Sequence, residues 1–385
     1  MNIRRPTPAA MPPASAPQSP ADITPPGPVD WLLLALFLGI LCVGLVAVLS
    51  ASGPQAQRLY GDSYHFFHRQ LQAMALGGVI VLFLCWVPRS FINRLHYWSI
   101  GIILILLVLT LFFGPRINGA QRWLNLRFMM LQPMEFARVA LVLYLGYFLS
   151  TKQHMVKTFT RGLLPPTVVT LSICTLLMFQ PDLGGTIIML ALLFFMCLGG
   201  GTRGWYLVMV LILAAAAVVV LIVVEPYRWA RLTAYLEPFA NARGSGYQIV
   251  QSLLALGSGG IFGVGLGASV QKTRYLPEPH NDFIMAVIGE ETGFLGVTLV
   301  ILLFALFFWR CYKVALGQKD LRDKLTAYGL TIVIALSFSL SMAVVLGLVP
   351  PKGIAMPFIS YGGSSLLANM SCAGLILHYS RTARE

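Results

Sequence analysis

The 385-residue chain is too apolar for a water-soluble protein, because 57% of its residues are hydrophobic and only 11% are charged. Its apolar residues fall in long blocks with neither a Gly-x-y nor a heptad period, which excludes collagen-like and coiled-coil structures. A formal net charge of +13 usually indicates a nucleic acid, an anionic membrane surface or an anionic substrate. The basic residues are spread over short connections between apolar blocks, so we expect no nucleic acid partner. The composition predicts an all-α, polytopic integral membrane protein.

The N-terminal segment differs in composition from the rest of the chain. Met1 to Pro28 hold nine of the 23 prolines, separated mostly by Ala, Ser and Gln. Such a segment has too little apolar surface to offset the entropy of ordering, so residues 1–28 are predicted to be a disordered tail. The apolar run Trp31 to Ser50 has no short basic segment before it, which favours a retained first span over a cleaved signal peptide.

Ten apolar blocks are about long enough to cross a bilayer as helices, which needs about 20 residues at 1.5 Å per residue. They are Trp31 to Ser50, Leu71 to Val87, Trp98 to Phe113, Glu135 to Ser150, Pro165 to Phe179, Thr186 to Gly200, Trp205 to Val224, Phe283 to Trp309, Leu325 to Leu348, and Leu366 to Tyr379.

Ten crossings place both termini on one side. More Lys and Arg lie in the connections on that side, so both termini of this multi-pass protein are predicted to be cytoplasmic. The membrane domain would span 29–380, with 381–385 as a cytoplasmic C-terminus.

The connection between the seventh and eighth blocks, residues 225–282, is far longer than the usual four to six or so residues. We predict that it is a structured extracytoplasmic loop. Its first part places Arg228 and Arg231 on one face of an amphipathic helix, where they either extend to lipid headgroups or contact a phosphate. Six glycines between Gly257 and Gly267 suit an anion-binding backbone, tight turns or close helix packing.

The end of this loop concentrates ionisable residues. Lys272, Arg274, Glu278, His280 and Asp282 lie within eleven residues, immediately before an apolar helix. Asp282 is either the N-cap of that helix or a carboxylate kept ionised as a base, and residue types alone do not choose between these roles.

The helix below carries two further acids, Glu290 and Glu291, at a depth where charge is costly. We expect each to form a structural ion pair or a hydrogen-bonded acid.

Two other outer segments carry candidate residues. Glu135 and Arg138 are spaced i, i+3 at a helix start, where they can pair on one face. The last outer connection contains Lys352 and Ser360 and is interrupted by Pro and Gly. Such backbone is tolerated at membrane depth only where protein buries it or it lines a water-filled cavity. The six cysteines have no paired spacing, so neither a disulfide framework nor a zinc site is expected.

Several of these stretches together resemble the SEDS family (shape, elongation, division and sporulation) over about Trp31 to Tyr379. The resemblance rests on Tyr247-Gln-Ile-Val-Gln-Ser-Leu, Ser269-Val-Gln-Lys, Tyr275-Leu-Pro-Glu-Pro-His-Asn-Asp-Phe-Ile, Gly289-Glu-Glu-Thr-Gly and Ser360-Tyr-Gly-Gly-Ser-Ser. Pro351 to Gly353 and Val270 to Lys272 are more similar to the division branch of the family than to its elongation branch.

The resemblance implies a peptidoglycan glycosyltransferase that polymerises lipid II on the outer face of the cytoplasmic (inner) membrane. Its implied partners are a class B penicillin-binding protein and other division-complex membrane proteins. It assigns the essential acid to Asp282 and places the pocket around Glu135 and Arg138. The chain departs from the family pattern at Arg138, where Lys is usual, at Asn281, where Thr is usual, and at Met134, where Ser is usual.

Residue chemistry and resemblance combine into one hypothesis. Asp282 removes the proton of a lipid II sugar 4-hydroxyl as that oxygen attacks a glycan held on undecaprenyl pyrophosphate, which inverts the anomeric carbon. The departing pyrophosphate would be stabilised by Lys272, by Arg138 and by Arg228 or Arg231. The predicted substrate-binding residues are Glu135, Arg138, Lys272, Arg228, Arg231, His280, Lys352 and Ser360.

No cofactor is certain from the sequence. A divalent cation, Mg²⁺ or Mn²⁺, could share the charge stabilisation, although no metal ligand set is evident. The alternatives are a lipid II flippase or transporter, an elongation-branch polymerase of the same family, and a scaffold that recruits division proteins.

Overall fold

A computed structural model describes residues 27–117, 119–126, 129–224, 233, 235–240, 242, 244, 246–351 and 353–382. The predicted disordered tail therefore lies outside the described residues apart from its last two positions. The predicted site residues Arg228, Arg231 and Lys352 also lie outside them.

The described residues form a helical bundle with one small antiparallel hairpin, β1 (Leu124–Asn125) and β2 (Met130–Leu131). The helices are α1 (Trp31–Tyr60), α2 (His65–Trp86), α3 (Arg89–Phe113), α4 (Pro133–Thr151), α5 (Leu164–Phe179), α6 (Leu183–Gly199), α7 (Gly204–Val224), α8 (Tyr247–Gly259), α9 (Gln271–Arg274), α10 (Ile284–Leu316), α11 (Leu321–Val345) and α12 (Gly363–Ser380). A short 3₁₀ helix, Gln153–Met155, and a π-helical turn, Phe159–Leu163, join α4 to α5.

Each of the ten predicted apolar blocks coincides with one of these helices. Seven helices of the described chain are long and apolar enough to cross a membrane by length and composition, and Leu183–Gly199 and Gly204–Leu213 are shorter apolar helices. The all-α fold is therefore confirmed, and the count of ten spans stays a prediction.

Contacts at the two ends of the bundle fix the relative direction of α1 and α10. At one end, Asp30 before α1 pairs with Arg310 near the end of α10 at 2.5 Å. At the other end, Arg58 in the last turn of α1 donates a hydrogen bond to the Thr273 carbonyl oxygen at 2.6 Å. Helices α1 and α10 therefore run antiparallel.

The first and last described residues meet on one face of the bundle. The Gly27 amide donates to the Arg381 carbonyl oxygen at 2.8 Å, and the Arg381 guanidinium donates to the Cys85 carbonyl oxygen at 2.7 Å. This agrees with the prediction that both ends of the membrane domain share a side.

The glycine-rich segment packs against a break in α10. Gly293 has φ 69° and ψ −166°, which interrupts the helix. The amides of Val264 and Gly265 donate to the carbonyl oxygens of Glu290 and Glu291, each at 3.0 Å. Because these two amides are used within the protein, the contacts favour close packing of this segment over an anion-binding backbone. The glycines instead allow two backbones to approach closely.

The last outer connection folds back into the bundle. Phe358 is buried, with φ 63°, and its ring packs edge-on against Phe37 of α1 at 5.4 Å and Phe307 of α10 at 5.9 Å between centroids. A side chain at Gly44 would collide with the Phe358 carbonyl oxygen. The expectation that protein buries this broken backbone is confirmed.

Candidate active site

Asp282 lies in a short segment before α10 that the last outer connection holds by two hydrogen bonds. The Ser360 hydroxyl donates to the Asn281 carbonyl oxygen at 2.7 Å, and the Tyr361 amide donates to the His280 carbonyl oxygen at 2.9 Å. These contacts fix the backbone of His280 and Asn281, and Asp282 follows directly after them.

Ser360 is itself held on two further sides. Its hydroxyl oxygen accepts from the Met356 amide at 2.9 Å, and its carbonyl oxygen accepts from Gln70 of α2 at 3.2 Å. Ser360 is 4% exposed. Because its hydroxyl is buried and already hydrogen-bonded, Ser360 positions the Asp282 segment, and its contact with substrate stays a prediction.

The structure contradicts an N-cap role for Asp282. Phe283 is the N-cap residue of α10, and no side chain accepts a hydrogen bond there. Within the described residues, the Asp282 carboxylate has neither a hydrogen bond nor an ion pair. A Cβ at Gly353 would lie 3.6 Å from Asp282 Oδ2, so the carboxylate faces the last outer connection.

The environment of Asp282 favours its protonated form. Burial and, to a smaller extent, the nearby Glu278 carboxylate raise the pKa of the Asp282 carboxyl, the Arg122 guanidinium lowers it, and the net pKa is about 6. A carboxylate with a pKa near 6 is ionised at neutral pH yet a stronger base than an ordinary aspartate. Those are the properties of a general base.

Arg122 is a cation beside Asp282 that the sequence analysis did not include among the site residues. Its guanidinium donates to the carbonyl oxygens of Gln180, at 3.4 Å, and Pro181, in the turn before α6. The turn is fixed by Asp182, whose side chain accepts from the Gly185 amide at 3.0 Å and caps α6. Arg122 and Asp282 are far apart in sequence, and no periodicity or spacing could have brought them together.

His280 is a packing residue, not a titrating one near neutral pH. Its ring lies between Phe66 and Tyr361, at 4.4 and 5.4 Å between centroids. Burial lowers the pKa of His280 to about 4. The neutral imidazole is 3% exposed, so the predicted substrate contact by His280 is not supported by its place in the fold.

Glu135 and Arg138 form the predicted i, i+3 ion pair in the first turns of α4. Arg138 also donates from Nη1 to the Ser337 hydroxyl of α11 at 2.6 Å. Both residues are buried, Arg138 to 2% exposure. Their charges therefore offset each other inside the bundle, and direct contact of either with substrate stays a prediction.

Lys272 lies in a different cluster from the one predicted. Its ammonium pairs with the Glu291 carboxylate at 2.5 Å and donates to the Ser50 hydroxyl of α1 at 2.9 Å. The Ser50 hydroxyl also contacts both Glu291 oxygens at 2.7 Å. The Lys272 charge is thus neutralised by Glu291 within the protein, and its role at the pyrophosphate stays a prediction.

Glu290 has a structural role as well. Its carboxylate accepts from the Ser269 hydroxyl, from the Val270 amide at 3.0 Å and from the Gln271 amide at 3.4 Å, at the start of α9. The expected ion pair is confirmed for Glu291, and Glu290 is an internal acid that accepts hydrogen bonds from three donors. Together they attach the segment that precedes Asp282 to α10.

Metal binding finds limited support near Asp282. In the part of the chain that the structure describes, no three His, Cys, Asp or Glu side chains come together as metal ligands. Glu278 is the one other carboxylate that influences Asp282 there. Two carboxylates are a poor match for a dedicated protein cage, so no step below is routed through a metal.

The helices together with the family match define a multi-pass membrane protein with a carboxylate at one face of the bundle. Residues 30–385 match the FtsW/RodA/SpoVE model, described as cell cycle protein, and the chain belongs to this family. The resemblance drawn from the sequence motifs is thereby confirmed.

The relatives cover nearly the whole chain. The chain is 39% identical over 365 residues to stage V sporulation protein E of Bacillus subtilis (strain 168), covering 92% of this chain and 98% of the relative. It is 42% identical over 361 residues to a probable peptidoglycan glycosyltransferase FtsW of Thioalkalivibrio sp. (strain K90mix), covering 92% and 90%.

Two solved structures have the same fold. One is a chain of a peptidoglycan synthase complex that coordinates polymerization and crosslinking, with a TM-score of 0.77, 29% identity and coverage of 92% of this chain and 98% of that one. The other is the rod shape determining protein RodA of Thermus thermophilus, with a TM-score of 0.70, 28% identity and coverage of 93% and 98%.

Proposed function

We propose that this protein is a peptidoglycan glycosyltransferase that polymerises lipid II into glycan strands at the outer face of the cytoplasmic membrane during cell division. One observation carries the proposal: the Asp282 carboxylate is held on a fixed backbone, has a pKa of about 6, and has no hydrogen-bond or ion-pair partner among the described residues. The family and the named FtsW relatives support the same reaction.

The reaction is a single displacement with balanced charge. The Asp282 carboxylate takes the proton from the 4-hydroxyl of the lipid II sugar, and that oxygen attacks the anomeric carbon of the growing glycan. The bond from this carbon to the phosphate oxygen breaks, and its electron pair leaves with undecaprenyl pyrophosphate. Attack from the opposite face converts the α linkage into a β linkage.

Cations near Asp282 would stabilise the negative charge that develops on the departing diphosphate. Arg122 is the described cation that acts on Asp282 electrostatically, and its guanidinium is anchored to the turn before α6. Lys352, next to Gly353, and Arg228 and Arg231 of the long loop are proposed to share this role. A Mg²⁺ or Mn²⁺ ion bound with the diphosphate would add charge stabilisation.

Both termini are proposed to be cytoplasmic, which places Asp282 outside. The proposed partner is a class B penicillin-binding protein, in keeping with the peptidoglycan synthase complex that shares this fold. Other division-complex membrane proteins are proposed to join it.

The test is reconstitution of the full chain with its transpeptidase partner in liposomes that contain lipid II. We expect long glycan strands from the unmodified protein and a loss of roughly a hundred-fold or more for Asp282→Asn, the range of general-base catalysis. Expression and partner binding should be unchanged. Movement of lipid II across the bilayer without polymer would instead identify a flippase, and full activity of Asp282→Asn would refute the base assignment.

A further inference from the structure

A cavity of about 300 Å³ lies between α1, the glycine-rich segment and α10, away from the Asp282 carboxylate. Residues from all three elements line it: Cys42, Val43, Val46, Ala47, Ser50, Leu266, Ile288, Glu291 and Thr292. Its volume is at the lower end of the ~300–1,000 Å³ that small-molecule pockets occupy. It can therefore hold part of a chain but not a whole lipid-linked sugar.

The polar groups in the lining are already used. The Ser50 hydroxyl and the Glu291 carboxylate bond to each other and to Lys272, and the Thr292 hydroxyl donates to the Ile288 carbonyl oxygen at 2.7 Å. An occupant of this cavity would gain no new hydrogen bond from them. Such a space excludes polar groups and binds hydrocarbon.

The cavity is open toward the lipid side of the bundle. Val46 is 55% exposed and Leu266 is 72% exposed, whereas Ala47 and Ile288 form a buried wall. A chain can therefore enter sideways from the bilayer without crossing packed protein.

Its position relative to Asp282 indicates which chain fits. Ile288 and Glu291 lie six and nine residues after Asp282, about 9 to 14 Å along the helix at 1.5 Å per residue. The cavity also touches the Lys272 cluster, which attaches the segment before Asp282 to α10. A diphosphate at the level of Asp282 would extend its lipid chain into the bilayer along this helix.

We infer that the cavity binds the first part of the polyprenyl chain of the lipid-linked substrate, an inference that rests on the proposed glycosyltransferase function. The apolar wall supplies chain-binding energy, and the Lys272–Glu291–Ser50 cluster closes the polar side. The cavity thus selects for a long hydrocarbon on the substrate and sets its depth below Asp282.

Cys42 is a position from which the cavity can be filled. It lines the cavity and is exposed at the opening toward lipid. Cys42→Trp should raise the KM for full-length lipid II by roughly ten-fold, about 1.4 kcal/mol of binding, and leave kcat unchanged. Cys42→Ala is the matched control, because it adds no bulk and should keep the KM of the unmodified protein.

A substitution provides an independent test. Val46→Trp fills the cavity and should raise the KM for full-length lipid II but not for an analogue whose prenyl chain is too short to reach it. Leu38→Trp is the matched control, because Leu38 is 49% exposed on the same helix but does not line the cavity.

Equal KM values for Val46→Trp, Cys42→Trp and the unmodified protein would overturn the inference, and a bulk phospholipid chain or a partner helix would then fill the cavity. The same rise for the short-chain analogue would overturn it too. If the unmodified protein makes no glycan, the proposed function fails, and the chain site is decided by crosslinking of a photoreactive polyprenyl diphosphate. Crosslinks at the cavity that Val46→Trp removes would support the site, and crosslinks elsewhere would reject it.

Discussion

The Ser360 hydroxyl donates a hydrogen bond to the Asn281 carbonyl oxygen at 2.7 Å, which joins the last outer connection to the residue before Asp282. The same hydroxyl oxygen accepts from the Met356 amide. A single buried side chain thus links the folded-back connection to the candidate base.

Removal of this link should lower activity without removing the base. Ser360→Ala leaves a buried carbonyl oxygen and a buried amide without their partner, at a cost of about 1 to 3 kcal/mol for each such group. We expect a lower melting temperature and a kcat reduced by roughly ten-fold, with the KM for lipid II nearly unchanged.

The matched control is Ser371→Ala, whose hydroxyl donates to the Leu367 carbonyl oxygen within α12. An equal loss of kcat in both variants would show that Ser360 acts only through general stability.

Activity should depend on pH through Asp282. Its pKa of about 6 means that kcat/KM falls as the pH decreases through 6, since protonation removes the base. Glu278→Gln removes a neighbouring negative charge and should move this acidic limb to lower pH. Arg122→Gln removes a positive charge and should move it to higher pH. Steady-state kinetics between pH 4.5 and 8 test this, and identical limbs in all three proteins would contradict it.

Ionisation of Asp282 should lower the stability of the folded protein, although it is required for activity. The folded-state pKa of Asp282 is raised from 3.8 to about 6, so its favourable contribution is complete below pH 4 and is lost as the pH rises through 6. Asp282→Asn should therefore be more stable than the unmodified protein at pH 7, by up to about 3 kcal/mol.

Melting curves of the two proteins at pH 4 and at pH 7 measure this difference. The difference in melting temperature between them should be present at pH 7 and should disappear at pH 4. A variant that is less stable than the unmodified protein at pH 7 would contradict the raised pKa.

Removal of one partner of the Lys272–Glu291 ion pair should destabilise the protein more than removal of both. Both side chains are 3% exposed, so Lys272→Met leaves a buried carboxylate without its cation and should destabilise the protein by about 3 to 5 kcal/mol. The double variant Lys272→Met/Glu291→Leu removes both charges and should recover most of that stability. Thermal unfolding of the two single variants and the double variant forms a double-mutant cycle.

Polymerisation by the double variant gives the second readout. Substantial activity is expected if Lys272 only positions the segment before Asp282. Loss of activity in a stable double variant would indicate that Lys272 contacts the diphosphate.

The sequence determined the helices and the identity of the candidate base. Long apolar blocks carry their own signal, because a chain in a bilayer must satisfy its backbone hydrogen bonds within each segment. All ten blocks coincide with helices, and the i, i+3 spacing of Glu135 and Arg138 predicted their ion pair. The motif around Asp282 identified the family before any contact was known.

The partners of the charged residues near Asp282 follow from how the helices pack, not from the sequence. Lys272 is ten residues from Asp282 in sequence, but it pairs with Glu291 because the glycine-rich segment packs into the break at Gly293. Arg122 is distant in sequence and yet acts on Asp282. Electrostatic and hydrogen-bonding partners depend on distances in space, and helix packing sets those distances while local sequence spacing does not.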